Sequence, residues 1–377
     1  MIHTTLAAST TENCANELTH RPHVVLAIDS FKGCLTSEEA EKAAAEGVKE
    51  ALPTCDVTTL PMSDGGDGML EAFSAALNGN IVSTEVHNPL MEPIKARYAV
   101  VGRTTAIIEV AEACGLKLIE PSRRDILHAT TYGVGELLLD AWRRGCRKFI
   151  IGLGGTGTSD CGRGMIEAIR SRGMRERIST SRFILASDVT NPLYGRNGAA
   201  EVYGPQKGAT RADICLLELR ARRYASENRV AQGGRDCSMK PGAGAAGGLG
   251  YAFMQFFGAR MESGGELLMK LSHFDERVKG ATLIITGEGA ADRQTLMGKL
   301  PSVVLRHGQR LNIPVALIAG RTDDTDELSG AGFSPIRCIN PPGLSAERAM
   351  RWQTALSNVK AACRNITIDF LKENNCV

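Results

Sequence analysis

Five loops rich in glycine and acidic residues punctuate this chain, and each follows a candidate strand. Val24 to Ile28, wholly apolar, runs into Asp29-Ser30-Phe31-Lys32-Gly33. The other loops are Ser63 to Gly68, Gly152 to Gly164, Ser187 to Leu193 and Gly287 to Lys299. A short apolar run bounded by turn residues reads as a strand buried on both faces, which needs helices on either side of its sheet. Open sheets of that kind bind ligands at the carboxyl ends of their strands, where loops hold backbone N–H groups and carboxylates on a rigid base. The expectation is an α/β enzyme acting on a phosphorylated or polyanionic ligand.

The order of elements adds a division of the chain. Thr36 with Glu39 three positions on reads as a capping box, and Ala40, Ala44, Val48 and Leu52 then share one helix face until Pro53. Asp56 to Leu60 reads as the next strand, so the chain opens β-loop-α-β. Ile81 to His87, Lys95 to Val101 and Thr105 to Val110 follow as strands in close succession, which suggests antiparallel pairing. Helices are expected near Tyr132 to Trp142 and Asp213 to Ser226, and buried strands at Phe149 to Leu153, Phe183 to Ala186 and Leu283 to Thr286. Past Ala281 the strand-loop-helix rhythm returns, with a helix over Ser302 to Gln309, a strand over Val315 to Ala319 and helix in the last 30 residues. The expected fold class is α/β with two domains: a doubly wound domain split between the chain ends (residues 24–75 and 282–377) and an inserted α/β domain (76–281) with a mixed sheet. Residues 1–23 read as a polar tail.

Composition excludes several classes. The 377 residues carry a net charge of +2, which gives no electrostatic reason to expect nucleic acid or a membrane surface. Aromatic content of 5% leaves no stacking platform for single strands. No apolar run approaches the ~18 residues of a membrane helix. The 11 cysteines are odd in number and scattered, which fits a reducing compartment, and a cytoplasmic location is expected. The first 22 residues lack the apolar core of a signal peptide.

Candidate chemistry sits on the loops. Gly152-Leu153-Gly154-Gly155-Thr156-Gly157 matches the dinucleotide pattern G-x-G-x-x-G, and Thr158 stands where a P-loop demands lysine. Glycine-rich chains produce such matches easily. The broader reading is a set of exposed N–H groups that bind phosphate; the alternative is a close-packed turn that needs glycine. Asp64, Asp67, Asp160, Asp188 and Asp292 lie beside glycine or turn residues, which suits Mg²⁺ and equally suits Asx-turns. Lys32 and Lys299 are candidate phosphate-neutralising groups. The seven histidines show no metal-binding spacing, and no nucleophile-elbow pattern occurs.

Eight segments in order resemble the type-1 glycerate kinases. They are the Asp-Ser-Phe-Lys-Gly-Cys-Leu-Thr stretch at 29–36, Ser-Asp-Gly-Gly-Asp-Gly at 63–68, Gly-Gly-Thr-Gly-Thr-Ser-Asp at 154–160 and Ser-Asp-Val-Thr-Asn-Pro-Leu at 187–193. Tyr-Gly-Pro-Gln-Lys-Gly-Ala at 203–209, Pro-Gly-Ala-Gly-Ala-Ala-Gly-Gly at 241–248, Thr-Gly-Glu-Gly at 286–289 and Asp-Arg-Gln-Thr-x-x-Gly-Lys at 292–299 complete the set. The resemblance implies ATP-dependent phosphorylation of D-glycerate, with 2-phosphoglycerate the favoured product. It also implies a Rossmann- or flavodoxin-like domain beside a second α/β domain, with the site in the cleft between them. Under it, ATP and Mg²⁺ are the expected cofactors and D-glycerate the partner, with a monomer or homodimer. Asp188, Lys32 and Asp292 are the expected catalytic residues, and Asp160 and Asp292 the candidate metal ligands. Expected binding residues are Asp29, Ser30, Asp64, Gly65, Gly66 and Asp67 from the first two segments; Gly154, Gly155, Thr156 and Thr158 from the third; and Asn191, Gln206, Lys207, Gly287, Glu288 and Lys299 from the rest. Lys207 is the candidate clamp for the substrate carboxylate.

The chain departs from the family pattern in places. The stretch from Met165 to Asp188 is shorter than usual, Cys161 stands where glycine is usual, and Arg163 where a small residue is. Ala290, Ala291, Arg293 and Met297 replace commoner residues beside the presumed site. A kinase for another small hydroxy acid, a ligand-binding protein without catalysis and a nicotinamide-dependent oxidoreductase are the competing readings.

Overall fold

A computed structural model describes residues 21–31, 33–231 and 233–373. Its eleven strands form two sheets. The first contains β1 (His23–Ile28), β2 (Asp56–Thr59), β9 (Leu283–Ala291), β10 (Val315–Thr322) and β11 (Phe333–Cys338), all parallel. Its order is β11-β10-β9-β1-β2, so its strands come from both ends of the chain. Renumbered within the sheet this is 2-1-3-4-5, the flavodoxin-like order, and the reversal of direction falls between β1 and β9. A ligand crevice is expected at that switch point.

The second sheet takes its strands from the middle of the chain: β3 (Asn80–His87), β4 (Pro93–Val101), β5 (Thr105–Glu109), β6 (Lys148–Gly152), β7 (Arg182–Ala186) and β8 (Arg260–Glu262). The β3-β4 and β4-β5 pairs are antiparallel, as the short connections require, and the remaining pairs are parallel. The shortened stretch after Met165 still provides a helix between β6 and β7. The sheet is therefore mixed, and the two-domain α/β class expected from the sequence is the observed one.

Among the described residues nine helices of eight or more residues cover the sheets: α1 (Ser37–Ala51), α2 (Met69–Ala76), α3 (Tyr132–Arg143), α4 (Arg163–Ser171), α5 (Arg211–Ala231), α6 (Ala245–Phe257), α7 (Gly264–Leu271), α8 (Leu300–Arg310) and α9 (Trp352–Glu373). Side-chain alternation sorts them into layers. Val24, Leu26 and Ile28 pack with Ala44 and Val48 of α1 and Val359 of α9 on one face of the first sheet. Val25 and Ala27 point the other way, into a cluster with Phe73 of α2, Leu268 of α7 and Val304 of α8. That same cluster takes in Ala99, Ile107, Ile150 and Ile184 of the second sheet. The far face of the second sheet buries Tyr98, Phe149 and Phe183 against α3, α4 and α6. One layer of three helices is thus shared by both sheets, and its apolar burial fixes the sheets relative to each other.

One sequence expectation needs correction. Gly287 to Lys299 is not a loop from its first residue. β9 runs on to Ala291 because β10 pairs along it to Thr322. The Gly152 loop ends where α4 begins, at Arg163 after Gly162. The strand β11 and the short β8 were not anticipated.

The capping box is present as read. Thr36 Oγ1 accepts from Glu39 N at 3.2 Å, and Glu39 Oε2 accepts from Thr36 N at 2.9 Å. Thr36→Ala removes one acceptor from the amino end of α1 and is expected to cost about 1 kcal/mol in a urea unfolding series.

Candidate active site

The carboxyl ends of the two sheets meet through their loops. Gly65 and Gly66 of the Ser63–Gly68 loop lie against the ends of β7 and β6. A Cβ on Gly154 would collide with the Gly66 Cα, and a Cβ on Gly65 would fall 2.6 Å from the Ala186 carbonyl oxygen. The glycines here are required by close approach of backbone to backbone. That is the alternative reading of the motif, and it accounts for Gly154 without a phosphate.

The Ser63–Gly68 loop faces two polar regions. On one side Asp67 lines a groove of about 750 Å³, together with Ser30, Arg97, Glu109, Lys117 and Gly155. Lys117 Nζ lies 2.6 Å from Asp67 Oδ2, and Arg97 is paired with Glu71 and Glu112. On the other side Asp64 lies near Asp188. Asp64 Oδ1 accepts from Gly66 N at 2.8 Å, an Asx-turn bond. The Asp188 carboxyl is raised to about 6, first by desolvation and then by the Asp64 charge. The Ser263 hydroxyl, which makes no regular hydrogen bond, and the Arg306 guanidinium pull in the opposite direction. The residue as a whole is exposed although its carboxyl is crowded, so the carboxylate can reach a ligand.

The switch point of the first sheet carries a third group. Asp29 is buried at the end of β1; its N–H donates to Gly287 O at 2.9 Å and its Oδ1 accepts from Ser30 N at 2.7 Å. The Ser30 hydroxyl is buried and has no partner among the described residues. On β9, Glu288 Oε1 accepts from Thr295 Oγ1 at 2.6 Å. Lys299 Nζ stands 3.4 Å from Glu288 Oε2 and 3.9 Å from Asp292 Oδ1. Burial raises the Glu288 carboxyl, against the pull of Thr295 and Lys299. Asp292 caps the short 3₁₀ turn Arg293–Met297, its Oδ1 accepting from Gln294 N at 2.8 Å.

Other expected site residues are spent on the scaffold. Asp160 accepts from Thr131 N at 2.9 Å, Thr131 Oγ1 at 2.9 Å, Gly162 N at 3.0 Å and Gly164 N at 3.0 Å. A carboxylate holding that many donors ties α3 to α4 and does not fit the role of metal ligand. Asn191 donates to Asn197 O and accepts from Tyr203 OH, and Gln206 is exposed on the turn Pro205–Lys207. Lys207 is buried. Its Nζ donates to Thr158 O at 2.6 Å and Thr156 Oγ1 at 3.2 Å, and burial lowers it to about 8. It braces the Gly154–Thr158 loop from behind and does not face a ligand as a carboxylate clamp. Lys32 lies outside the described residues.

Among the described residues no group of three or more His, Cys, Asp or Glu side chains is arranged to hold a metal ion. Asp292 accepts from Gln294 N through Oδ1, and its Oδ2 takes no hydrogen bond among the described residues, which suits Mg²⁺ held mainly by phosphate oxygens and water. No helix among the described residues is long and apolar enough to cross a membrane. All nine cysteines among them are free. Cys161, where glycine is usual, adopts φ +58°, so the position does ask for a left-handed residue. Sequence reasoning missed Glu109 and Lys117. Glu109 ends the apolar strand β5 just as Asp29 follows β1, and that pattern was the available signal.

A flavodoxin-like sheet with its polar switch point turned towards a second sheet defines a two-domain α/β enzyme, and the comparisons with known proteins narrow the class. The glycerate kinase family profile matches residues 24–172 and 166–371. The chain is 36% identical over 374 residues to the glycerate kinase of Halalkalibacterium halodurans, covering 92% of this chain and 97% of that one. It is 36% identical over 370 residues to the glycerate 2-kinase of Escherichia coli K12, covering 91% and 96%. A crystal structure from Salmonella typhimurium LT2, of a protein provisionally named glycerate kinase 2, superposes with a TM-score of 0.79 at 35% identity, over 95% of this chain and all of that one. The chain belongs to the glycerate kinase family, and it is a kinase.

The bracing role of Lys207 is testable. Lys207→Met leaves the Thr158 carbonyl unpaired and is expected to destabilise the fold by about 1–3 kcal/mol. The difference from wild type should widen between pH 8 and 10, where the unfolded chain holds the lysine proton that the folded chain has lost. Thermal melts across that range read both effects.

Proposed function

We propose that this kinase transfers the γ-phosphoryl group of ATP to D-glycerate, with the 2-hydroxyl as acceptor. The observation that carries the reading is the raised Asp188 carboxyl beside Asp64, in a chain whose relatives are named for glycerate phosphorylation. Phosphoryl transfer needs the donor held in line with the hydroxyl, its charge neutralised, and a carboxylate to orient the hydroxyl or take its proton. A carboxylate titrating near 6 is ionised at neutral pH and is still basic enough to accept a proton as the bond forms.

In this reading the other groups bind. Lys299 neutralises phosphate charge, held between Glu288 and Asp292. Ser30, its hydroxyl unpartnered at the switch point, donates to the ligand, and the backbone around Asp29 and Gly287 shapes the crevice. The groove beside Asp67 gives room for the nucleotide. Mg²⁺, arriving with the nucleotide, would neutralise the transferring phosphoryl group, and Asp292 is the residue that would hold it. Lys117 and Arg97 add positive charge at the rim of the groove while remaining paired. Departures from the family pattern near the site are accommodated: Arg293 forms a two-point pair with Glu327, at 3.0 and 2.7 Å, and Met297 is exposed.

The direct test is ADP release by purified protein with Mg-ATP, with and without D-glycerate, followed by NMR of the product. The expected product is 2-phosphoglycerate. 3-Phosphoglycerate would overturn the regiochemistry, and folded protein with no glycerate-dependent turnover would overturn the reading. Asp188→Asn is expected to lower kcat by about 10²- to 10⁴-fold. The wild-type kcat/KM profile should fall on the acid side with a midpoint near pH 6, where Asp188 takes up its proton. Near-normal turnover by the variant would remove Asp188 from the role of base.

A further inference from the structure

The helix α2 is preceded by Gly68, a left-handed residue with no side chain to cap it. Its first N–H groups still need acceptors, since the amino end of any helix leaves them without intrahelical partners. Met69 N donates back to Gly66 O at 3.2 Å. Leu70 N donates to Glu109 Oε2 at 3.1 Å, an acceptor that reaches across from the end of β5 in the other sheet. Glu109 is buried, 7% exposed, yet it lines the groove beside Asp67 and Gly155. Its carboxylate therefore joins the two sheets at the one helix whose preceding loop contains both Asp64 and Asp67.

We propose that Glu109 is a positioning residue: by holding the amino end of α2 from β5, it sets the placement of the Ser63–Gly68 loop in the site. The loop is gripped at both ends. Close contact with Gly154 and Ala186 fixes Gly65 and Gly66, and Glu109 fixes the start of the helix that follows. A carboxylate suits this position because the helix amino end carries partial positive charge. The proposal rests on the reading of this loop as part of the active site.

The surroundings give a second signature. Glu109 is raised to about 7, first by desolvation, and the Leu70 N–H opposes the shift. The charged groups around it are Asp67 on the loop, Glu71 on α2 and Glu112 on the short helix Ala111–Cys114, all adding to the shift. Their cations, Arg97 on β4 and Lys117, are engaged with those acids, and Lys95 on β4 lines the same groove. Because the folded-state value lies above the unfolded one, ionised Glu109 costs stability, and that cost builds as pH rises from the ordinary glutamate value, about 4.5, to about 7.

The test uses hydrogen exchange on the whole protein without ligand, so it reads the loop whatever the substrate proves to be. Glu109→Ala is expected to speed amide exchange across residues 64–71 and to lower kcat/KM with glycerate by about 10- to 100-fold, as expected for a displaced active-site loop. Glu109→Gln keeps an acceptor of the same shape. It should restore both exchange and activity, and its Tm should exceed that of wild type by a margin that grows from pH 5 to 8. If Glu109→Ala does not fold, Glu109→Asp, one methylene too short, should still speed exchange at Leu70. Unchanged exchange in Glu109→Ala, or in Glu109→Asp where that replaces it, would overturn the proposal. So would a Glu109→Gln enzyme as slow as Glu109→Ala with wild-type exchange, which would mean direct contact with the ligand. If glycerate is not the substrate, wild type and every variant alike are inactive with it, while the exchange result still stands.

Discussion

A Cβ on Gly154 has no room, because the Gly66 backbone already occupies its place. That contact brings the end of β6 against the loop that follows β2, and so brings the carboxyl ends of both sheets to one place. Everything polar in the candidate site depends on it. Asp64 and Asp67 ride on one of the touching loops, Gly155 on the other, and Asp188 follows the next strand along. The shared layer of α2, α7 and α8 supplies the apolar burial that holds the sheets at this separation. The glycines let the backbones close the remaining gap.

The acidic residues of the loops look alike in sequence and differ in what they have left to give. Asp160 is consumed by backbone and hydroxyl donors. Asp292 and Asp64 each spend an oxygen on a turn N–H. Glu288 shares Lys299, and Glu109 holds a helix end. Burial and a second carboxylate raise Asp188, and among the described residues no backbone N–H donates to its oxygens. At Asp188, Glu109 and Glu288 burial is the leading cause of the raised proton affinity, and the donors each has found oppose it.

Much of the scaffold was legible because local rules were obeyed. The Thr36–Glu39 capping box, the apolar strands at Val24 and Phe149, and the antiparallel run from Asn80 to Glu109 are all visible as patterns of period and punctuation. The edge strand Phe333–Cys338 was not, because its half-exposed residues carry no such pattern. Of the site, positions on strand-end loops were legible, and burial was not. Nothing local distinguishes Lys207, enclosed behind the Gly154 loop, from a lysine facing solvent. Nothing local shows that Asp160 would find four donors from α3 and α4. Those outcomes depend on which distant backbone comes near, which a single sequence does not state.

The central claim is that chemistry occurs where the two sheets' carboxyl ends meet. The most direct measurement is a crystal structure with D-glycerate and a non-hydrolysable ATP analogue bound. The account predicts the glycerate hydroxyl within hydrogen-bond reach of Asp188, and the terminal phosphate near Lys299 and the Ser30 hydroxyl. Glycerate bound away from the Ser63–Gly68 loop, or phosphates bound away from the switch point of the first sheet, would contradict it.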